Sequence, residues 1–301
     1  MRQLLYRIIY NRHVNFILRN LNRFILPVLP WKIRISPSGI LVLKIDGRSK
    51  IRLATNQTNY LTYLIYWEGG YRNFEYTDIF IKLIKKIKTF YDVGANIGYY
   101  SLLGAKVNRS LRVVAFEPAS GPVYFFKKNR ELNSLTNITI EEIALSDNNG
   151  VIDFYEIKNK KYKYLKHNLG GESNIGSKTT GRNFEVVKVS TTTLDEYAAS
   201  INEQRIDLIK MDTEGTEFRI LDKCDKILKQ MKPIIICETI FNTHESELEG
   251  IMNRYGYEFY GHIPQGLKKL ETLKRDKYDG IDNCFFVHPD KTYLIEDFIV
   301  G

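Results

Sequence analysis

Several charged side chains in this chain stand where short apolar runs end, and their spacing is that of a ligand-binding crevice. The most informative stretch is Phe90-Tyr91-Asp92-Val93-Gly94-Ala95-Asn96-Ile97-Gly98-Tyr99-Tyr100. An apolar run ends in an acid, and a glycine turn then opens a helix. Gly94 lets the backbone turn tightly, and Gly98 is expected to bring the helix start close to a ligand. The pattern is Gly-x-Asn-x-Gly, with Asn96 between the glycines, and not Gly-x-Gly-x-x-Gly. A pyrophosphate wants N–H donors with no acid beside them. Asp92 instead offers a carboxylate to an ammonium group, so the turn favours a cationic sulfonium amino acid over a nicotinamide dinucleotide. Glu117 ends the next apolar run, 25 residues after Asp92. An acid at that place accepts hydrogen bonds from ribose hydroxyls. Ala144-Leu145-Ser146-Asp147 follows a third run, and Ala144 and Ser146 either border an adenine or form a plain turn.

The elements that must position these groups alternate between strand and helix. Thr89–Val93, Arg112–Glu117, Ile138–Ile143, Ile206–Met211 and Pro233–Cys237 read as buried strands. Phe74–Ile87, Tyr99–Lys106, Pro122–Asn133 and Phe218–Leu228 read as helices between them. This alternation predicts an α/β fold with a parallel sheet and helices on both faces. Tyr257–Ile263 and Cys284–His288 follow one another without a helix, which predicts an antiparallel hairpin at the sheet edge. Residues 150–192 form an insertion with strand-like pieces around a polar loop. Residues 1–57 read as a basic amphipathic segment, broken by Pro27 and Pro30, and a β-hairpin turning at Asp46-Gly47. Residues 58–301 form the main domain.

Asp92–Tyr100, Phe116-Glu117-Pro118, Ala144-Leu145-Ser146 and, above all, Ile209-Lys210-Met211-Asp212-Thr213-Glu214-Gly215-Thr216-Glu217 resemble the FkbM-type methyltransferase family. Glu75, on the preceding helix, also sits where that family tends to carry a glutamate. The similarity covers about residues 58–288. Thr213 and Thr216 stand where small apolar residues are more usual. The resemblance implies a Rossmann-like class I sheet, mostly parallel with an antiparallel last strand and with a small N-terminal α/β extension. It also implies S-adenosylmethionine as methyl donor and O-methylation of a sugar, glycan or related metabolite.

Methyl transfer needs two reactants held in line, and a hydroxyl acceptor gains from a base. Asp212 is the leading candidate for a base or orienting carboxylate, with Lys210 holding it ionised. Glu214 is the second candidate, and Glu217 suits the start of the following helix. The plainer reading is a loop organiser and helix cap. Asp212, Glu238 and His244 at neighbouring strand ends would suit magnesium or manganese, although no compact motif joins them. His244 alone reads as a loop histidine. The insertion carries Lys158, Lys160, Lys161, Lys163 and Lys166, then Gly170-Gly171-Glu172-Ser173-Asn174-Ile175-Gly176. It reads as a lid whose lysines draw an acidic glycan, or as a solvated loop. Ser173, Asn174 and Glu238 are the candidate substrate contacts.

The net charge is +9, but Arg2, Arg7, Arg12, Arg19, Arg23, Lys32 and Arg34 all precede the first acid, Asp46. Residues 35–301 carry 37 basic against 35 acidic groups, so the body has no excess suited to nucleic acid. Three distant cysteines, Cys224, Cys237 and Cys284, point to a reducing, cytoplasmic setting. Arginines interrupt every apolar stretch near the start, which argues against a cleaved leader. That segment lies on an anionic membrane surface in one reading. In the other it packs on its own domain or on a partner chain. Competing functions are a nicotinamide-dependent oxidoreductase and a non-catalytic Rossmann-like binding subunit. The second would tolerate loss of Asp212 and Glu214.

Overall fold

The computed structural model describes residues 1–24, 30, 33–45, 49–170, 173–174 and 183–301. Pro27, the turn at Asp46-Gly47 and four residues of the glycine-rich stretch (Gly171, Glu172, Ile175, Gly176) lie outside the described residues. The chain opens with α1 (Arg2–Ile9), α2 (Arg12–Phe24) and the antiparallel hairpin of β1 (Gly39–Ile45) and β2 (Ser49–Thr55). Then come α3 (Tyr60–Trp67), α4 (Thr77–Ile84), β3 (Thr89–Val93), α5 (Tyr99–Val107), β4 (Arg112–Phe116), α6 (Ser120–Leu132) and β5 (Ile138–Glu141). The insertion supplies β7 (Gly150–Ile157) and β8 (Phe184–Thr192), which join the preceding β6 (Ala144–Leu145) in a separate sheet in the order β6-β8-β7. The remainder is α7 (Leu194–Ser200), β9 (Leu208–Met211), α8 (Glu217–Asp222), β10 (Ile234–Glu238), α9 (Glu245–Asn253), β11 (Glu258–Ile263), β12 (Gly266–Leu270), β13 (Asn283–Val287) and β14 (Ile299–Val300).

The central sheet has nine strands in the order β14-β12-β11-β13-β10-β9-β3-β4-β5. From β10 to β5 neighbours are parallel, and β13 runs antiparallel to both β10 and β11. This is the mostly parallel α/β sheet expected. The edge differs from expectation. Tyr257–Ile263 and Cys284–His288 do pair antiparallel, but β13 is inserted between β10 and β11. The supposed loop between them contains β12, which hairpins onto β11 and carries β14 outside it. Two helix expectations also shift. Phe218–Leu228 splits into α8 and a π turn at Ile227–Met231. Glu75 is not on a helix: it precedes α4 with a left-handed φ of 43°.

Strand alternation sends side chains to two cores. Phe90, Leu208, Ile234 and Ile236 join one, beneath α4 and α5. Tyr91, Val93, Ile209, Met211, Ile235 and Cys237 join the other. Each such side chain contributes about 1.5–3 kcal/mol on full burial. The β1–β2 hairpin continues the first core through Leu41, Leu43, Ile51 and Leu53. Asn129 of α6 and Asn133 at its C-cap latch it: the amides of Ala54 and Arg52 donate to the Oδ1 atoms of Asn129 (2.6 Å) and Asn133 (2.8 Å) respectively.

Candidate active site

The turn after β3 is built on backbone contacts that only glycine permits. Gly94 N and Ala95 N both donate to Phe116 O at 3.0 Å, tying the turn to the end of β4. Gly94 has φ 73°, and a Cβ there would lie 1.9 Å from the Asp212 carbonyl oxygen. Asn96 N donates to Glu117 Oε2 (2.7 Å), and Ala119 N donates to Oε1 (2.8 Å). Glu117 is buried, which pushes its carboxyl up to about 7 against the opposing pull of those two N–H groups. Each carboxylate oxygen keeps a further lone pair for a ligand. Glu117 lines a cavity with Gly94, Asn96, Phe116, Ala144, Leu145, Phe154, Ser173, Asn174, Asp212 and Glu214.

Two residues expected to meet a ligand have packing or hydrogen-bond partners within the protein. Gly98 is required by packing: it caps α5 at φ 83°, and a Cβ would lie 2.1 Å from the Phe126 ring. It lines neither this cavity nor the next. Ser146 is also absent from both linings. Its Oγ donates to Asp147 Oδ1 at 3.1 Å.

A second cavity adjoins the first and shares Gly94, Asn96 and Asp212 with it. Asn59, Phe74, Glu75, Asp92, Tyr99, Tyr100, Leu169 and Lys210 are among the residues of its wall. Lys210 is the charge at its floor. Its Nζ donates to Gly94 O and to Asp212 Oδ2, each at 3.2 Å, and lies 3.9 Å from Asp92 Oδ1. Burial alone would lower the Lys210 ammonium, but Asp212, Asp92 and Glu75 outweigh it and hold it above its usual range. Asp92 Oδ2 accepts from Ser101 N (3.1 Å) and Ser101 Oγ (2.6 Å), satisfying a donor in the first turn of α5. Its Oδ1 accepts no hydrogen bond among the described residues. Burial raises the Asp92 carboxyl, with Lys210 opposing.

Glu75 is the residue the sequence did not single out for chemistry. Tyr100 donates to its Oε2 at 2.8 Å, and Thr77 Oγ1 donates to the Tyr100 hydroxyl at 3.3 Å. Its side chain is exposed, opening onto cavities on both sides, while protein packs closely around the carboxyl itself. That desolvation, followed by the charge of Asp212, pushes its carboxyl up to about 7. Its positive φ is unusual for a residue with a side chain and often marks a functional position. The only signal in the sequence was the glutamate position shared with the family. Tyr99 and Tyr100 read merely as helix.

The other candidates fall as follows. Glu214, at φ 60°, lines the first cavity, and Glu217 organises the turn by accepting from Thr213 N (2.6 Å) and Thr213 Oγ1 (2.9 Å). Ser173 and Asn174 line the first cavity, beside Glu117 and not in the second cavity. Glu238 lines neither. It is held well above the usual carboxylate range by burial and then by Asp212, Glu214 and Glu217. His244 instead faces Glu247 at 3.4 Å and packs on the Phe218 ring. Among the described residues no three His, Cys, Asp or Glu side chains group so as to hold a metal ion, so the Asp212–Glu238–His244 set is not assembled.

The family model for the methyltransferase FkbM domain matches residues 92–259. Methyltransferase sdnD of Sordaria araneosa is 27% identical over 168 residues, covering 49% of this chain and 64% of that protein. Methyltransferase 1 of Beauveria bassiana is 24% identical over 143 residues, covering 44% and 57%. The match thus spans less than two thirds of either relative. A crystal structure of methyltransferase FkbM from Methylobacillus flagellatus KT aligns with TM-score 0.43 and 16% identity, over 67% of this chain and 43% of that one. With the matched span running from Asp92 past Glu238, this chain belongs to the FkbM methyltransferase domain family.

Proposed function

We propose that this chain transfers the methyl group of S-adenosylmethionine to a hydroxyl oxygen of a sugar, glycan or related metabolite. One observation carries the reading. Three carboxylates, Glu75, Asp92 and Asp212, act on a single ammonium, Lys210, where two cavities meet. Such an excess of negative charge attracts a cation. A sulfonium amino acid is one, and the residues present fit it. Glu117 has lone pairs for ribose hydroxyls, and Asp92 Oδ1 accepts from no donor among the described residues. When bound, S-adenosylmethionine supplies an electrophilic methyl already activated by its charged sulfur.

The chain's own work is positioning and proton transfer. Asp212, fixed by Lys210 and shared by both cavities, orients the acceptor hydroxyl. Glu75, whose carboxyl titrates near neutrality, is the better-matched base. The hydroxyl proton passes to Glu75, and Tyr100 keeps that carboxylate in place. This assigns the base to Glu75 and the orienting role to Asp212. Calorimetric titration with S-adenosylmethionine and with NAD tests the donor, and labelled methyl transfer to a panel of glycans tests the acceptor. Binding of NAD alone would sink the first half, and transfer only to nitrogen or carbon the second.

A further inference from the structure

The two N-terminal helices are amphipathic, and they are docked the unexpected way round. At about 100° per residue, Phe16, Ile17, Leu21 and Phe24 of α2 fall within an arc of about 140°. Asn15, Arg19 and Asn22 fall on the opposite side. The polar side is the one that meets the protein. Arg19 Nη1 donates to Ser38 O (3.1 Å) and Nη2 to Ile40 O (2.9 Å). Asn15 Nδ2 donates to Ser36 O (3.1 Å), and Ile35 N donates to Asn22 Oδ1 (2.9 Å). Asn15 and Arg19 are the buried residues of α2, whereas Ile17, Leu21 and Phe24 are 59%, 63% and 89% exposed. Helix α1 repeats the arrangement. Tyr6 and Gln3 face the insertion, with Tyr6 packed on the Tyr162 ring at 5.2 Å and Gln3 bonded to Lys161 O, while Leu4, Leu5 and Ile8 are exposed.

Charge selects what covers this face. No acid occurs among residues 1–45, and Arg2, Arg7, Arg12 and Arg23 are exposed on the same two helices. The insertion segment under α1 adds exposed Lys160, Lys161, Lys163 and Lys166. A second copy seated here would bring an identical acid-free, basic segment against this one and repel it. An anionic bilayer offers the complement to both features, acyl chains for the apolar arc and phosphates for the arginines beside it. Among the described residues no helix is long and apolar enough to cross a membrane, so the contact is peripheral. We propose that α1 and α2 dock the protein, apolar arc down, on an anionic lipid surface.

The test uses the purified full chain and floated vesicles of phosphatidylcholine with or without phosphatidylglycerol. We expect binding to the anionic vesicles only, weakening as salt is raised. Ile17→Asp with Leu21→Asp should reduce the partition coefficient at least about tenfold, and Arg7→Gln with Arg23→Gln about tenfold. Both pairs are exposed, so the thermal melt and S-adenosylmethionine binding should stay at parental values. Equal recovery on neutral and anionic vesicles, or no binding to either, would overturn the proposal. So would lipid-free self-association in sedimentation that Ile17→Asp with Leu21→Asp abolishes, because the face would then belong to a second copy.

Discussion

Glu75→Gln separates the proposed base from the residues that merely shape its cavity. The amide oxygen of Gln can still accept from Tyr100, so the local geometry survives. Only the proton acceptor is lost, and general-base catalysis contributes about 10²–10⁴-fold. The pH dependence gives a sharper magnitude. With the carboxyl at about 7, Glu75 is about one tenth ionised at pH 6 and about nine tenths at pH 8. The sign follows from the direction of the shift. A raised carboxyl is the active base only above its own titration point, so activity is lost as pH falls through 7. The parent should therefore gain about tenfold in kcat/KM from pH 6 to pH 8. An ordinary glutamate, ionised throughout, would give almost no change. The assay is labelled methyl transfer at limiting donor and acceptor across that range, which reads kcat/KM. A Gln variant within about threefold of the parent, or one that retains the pH step, removes Glu75 from the chemistry.

Four further outcomes test the surrounding framework. Asp212→Asn should lower kcat/KM about a hundredfold and move the midpoint of the pH profile down, since Asp212 is the charge that most raises Glu75. An unmoved midpoint in the same assay would uncouple the two. Glu117→Gln should weaken S-adenosylmethionine binding in calorimetry by about ten- to a hundredfold, the worth of a charged hydrogen bond of about 1.5–3 kcal/mol. Gly94→Ala should abolish that binding and cost more than about 1 kcal/mol of stability in urea, because φ is 73° and the Asp212 carbonyl occupies the space. Asn129→Ala should cost about 1–3 kcal/mol by the same urea titration, because the Ala54 N–H is left buried without a partner.

The parallel core was legible because each strand is short, apolar and closed by a glycine or an acid. Glu117 was legible for the same reason, as was the Gly94 turn. The edge was harder. Gly266–Leu270 has two lysines pointing out of a half-buried strand, so no apolar run marked β12. The packing role of Gly98 was hidden because a glycine in a turn looks the same whether a ligand or a neighbouring ring excludes the Cβ. Only the Phe126 contact tells them apart. Glu75 was hidden by helical spacing that continues across Phe74 while its own φ is left-handed. The pairing of Asp92 with Lys210 was out of reach for another reason. β9 lies beside β3 with those two residues in register, and both point to the face under α4 and α5. Sequence separation says nothing about register.

The N-terminal helices show where periodicity stops informing. A hydrophobic period divides a helix into two faces but does not say which faces inward. Burial ordinarily decides for the apolar face, at about 1.5–3 kcal/mol for each large side chain. Here the carbonyls of Ser36, Ser38 and Ile40 take up Asn15 and Arg19, and the helix turns its polar side inward. Net hydrogen bonds of about 0.5–1.5 kcal/mol hold that orientation. They leave Leu4, Leu5, Ile8, Phe16, Ile17, Leu21 and Phe24 in water. The stabilisation those side chains forgo in the isolated chain is recovered only when an apolar phase covers them. Binding should therefore strengthen with acyl-chain access as well as with surface charge, and tightly packed anionic vesicles should recover less protein than loosely packed ones of equal charge.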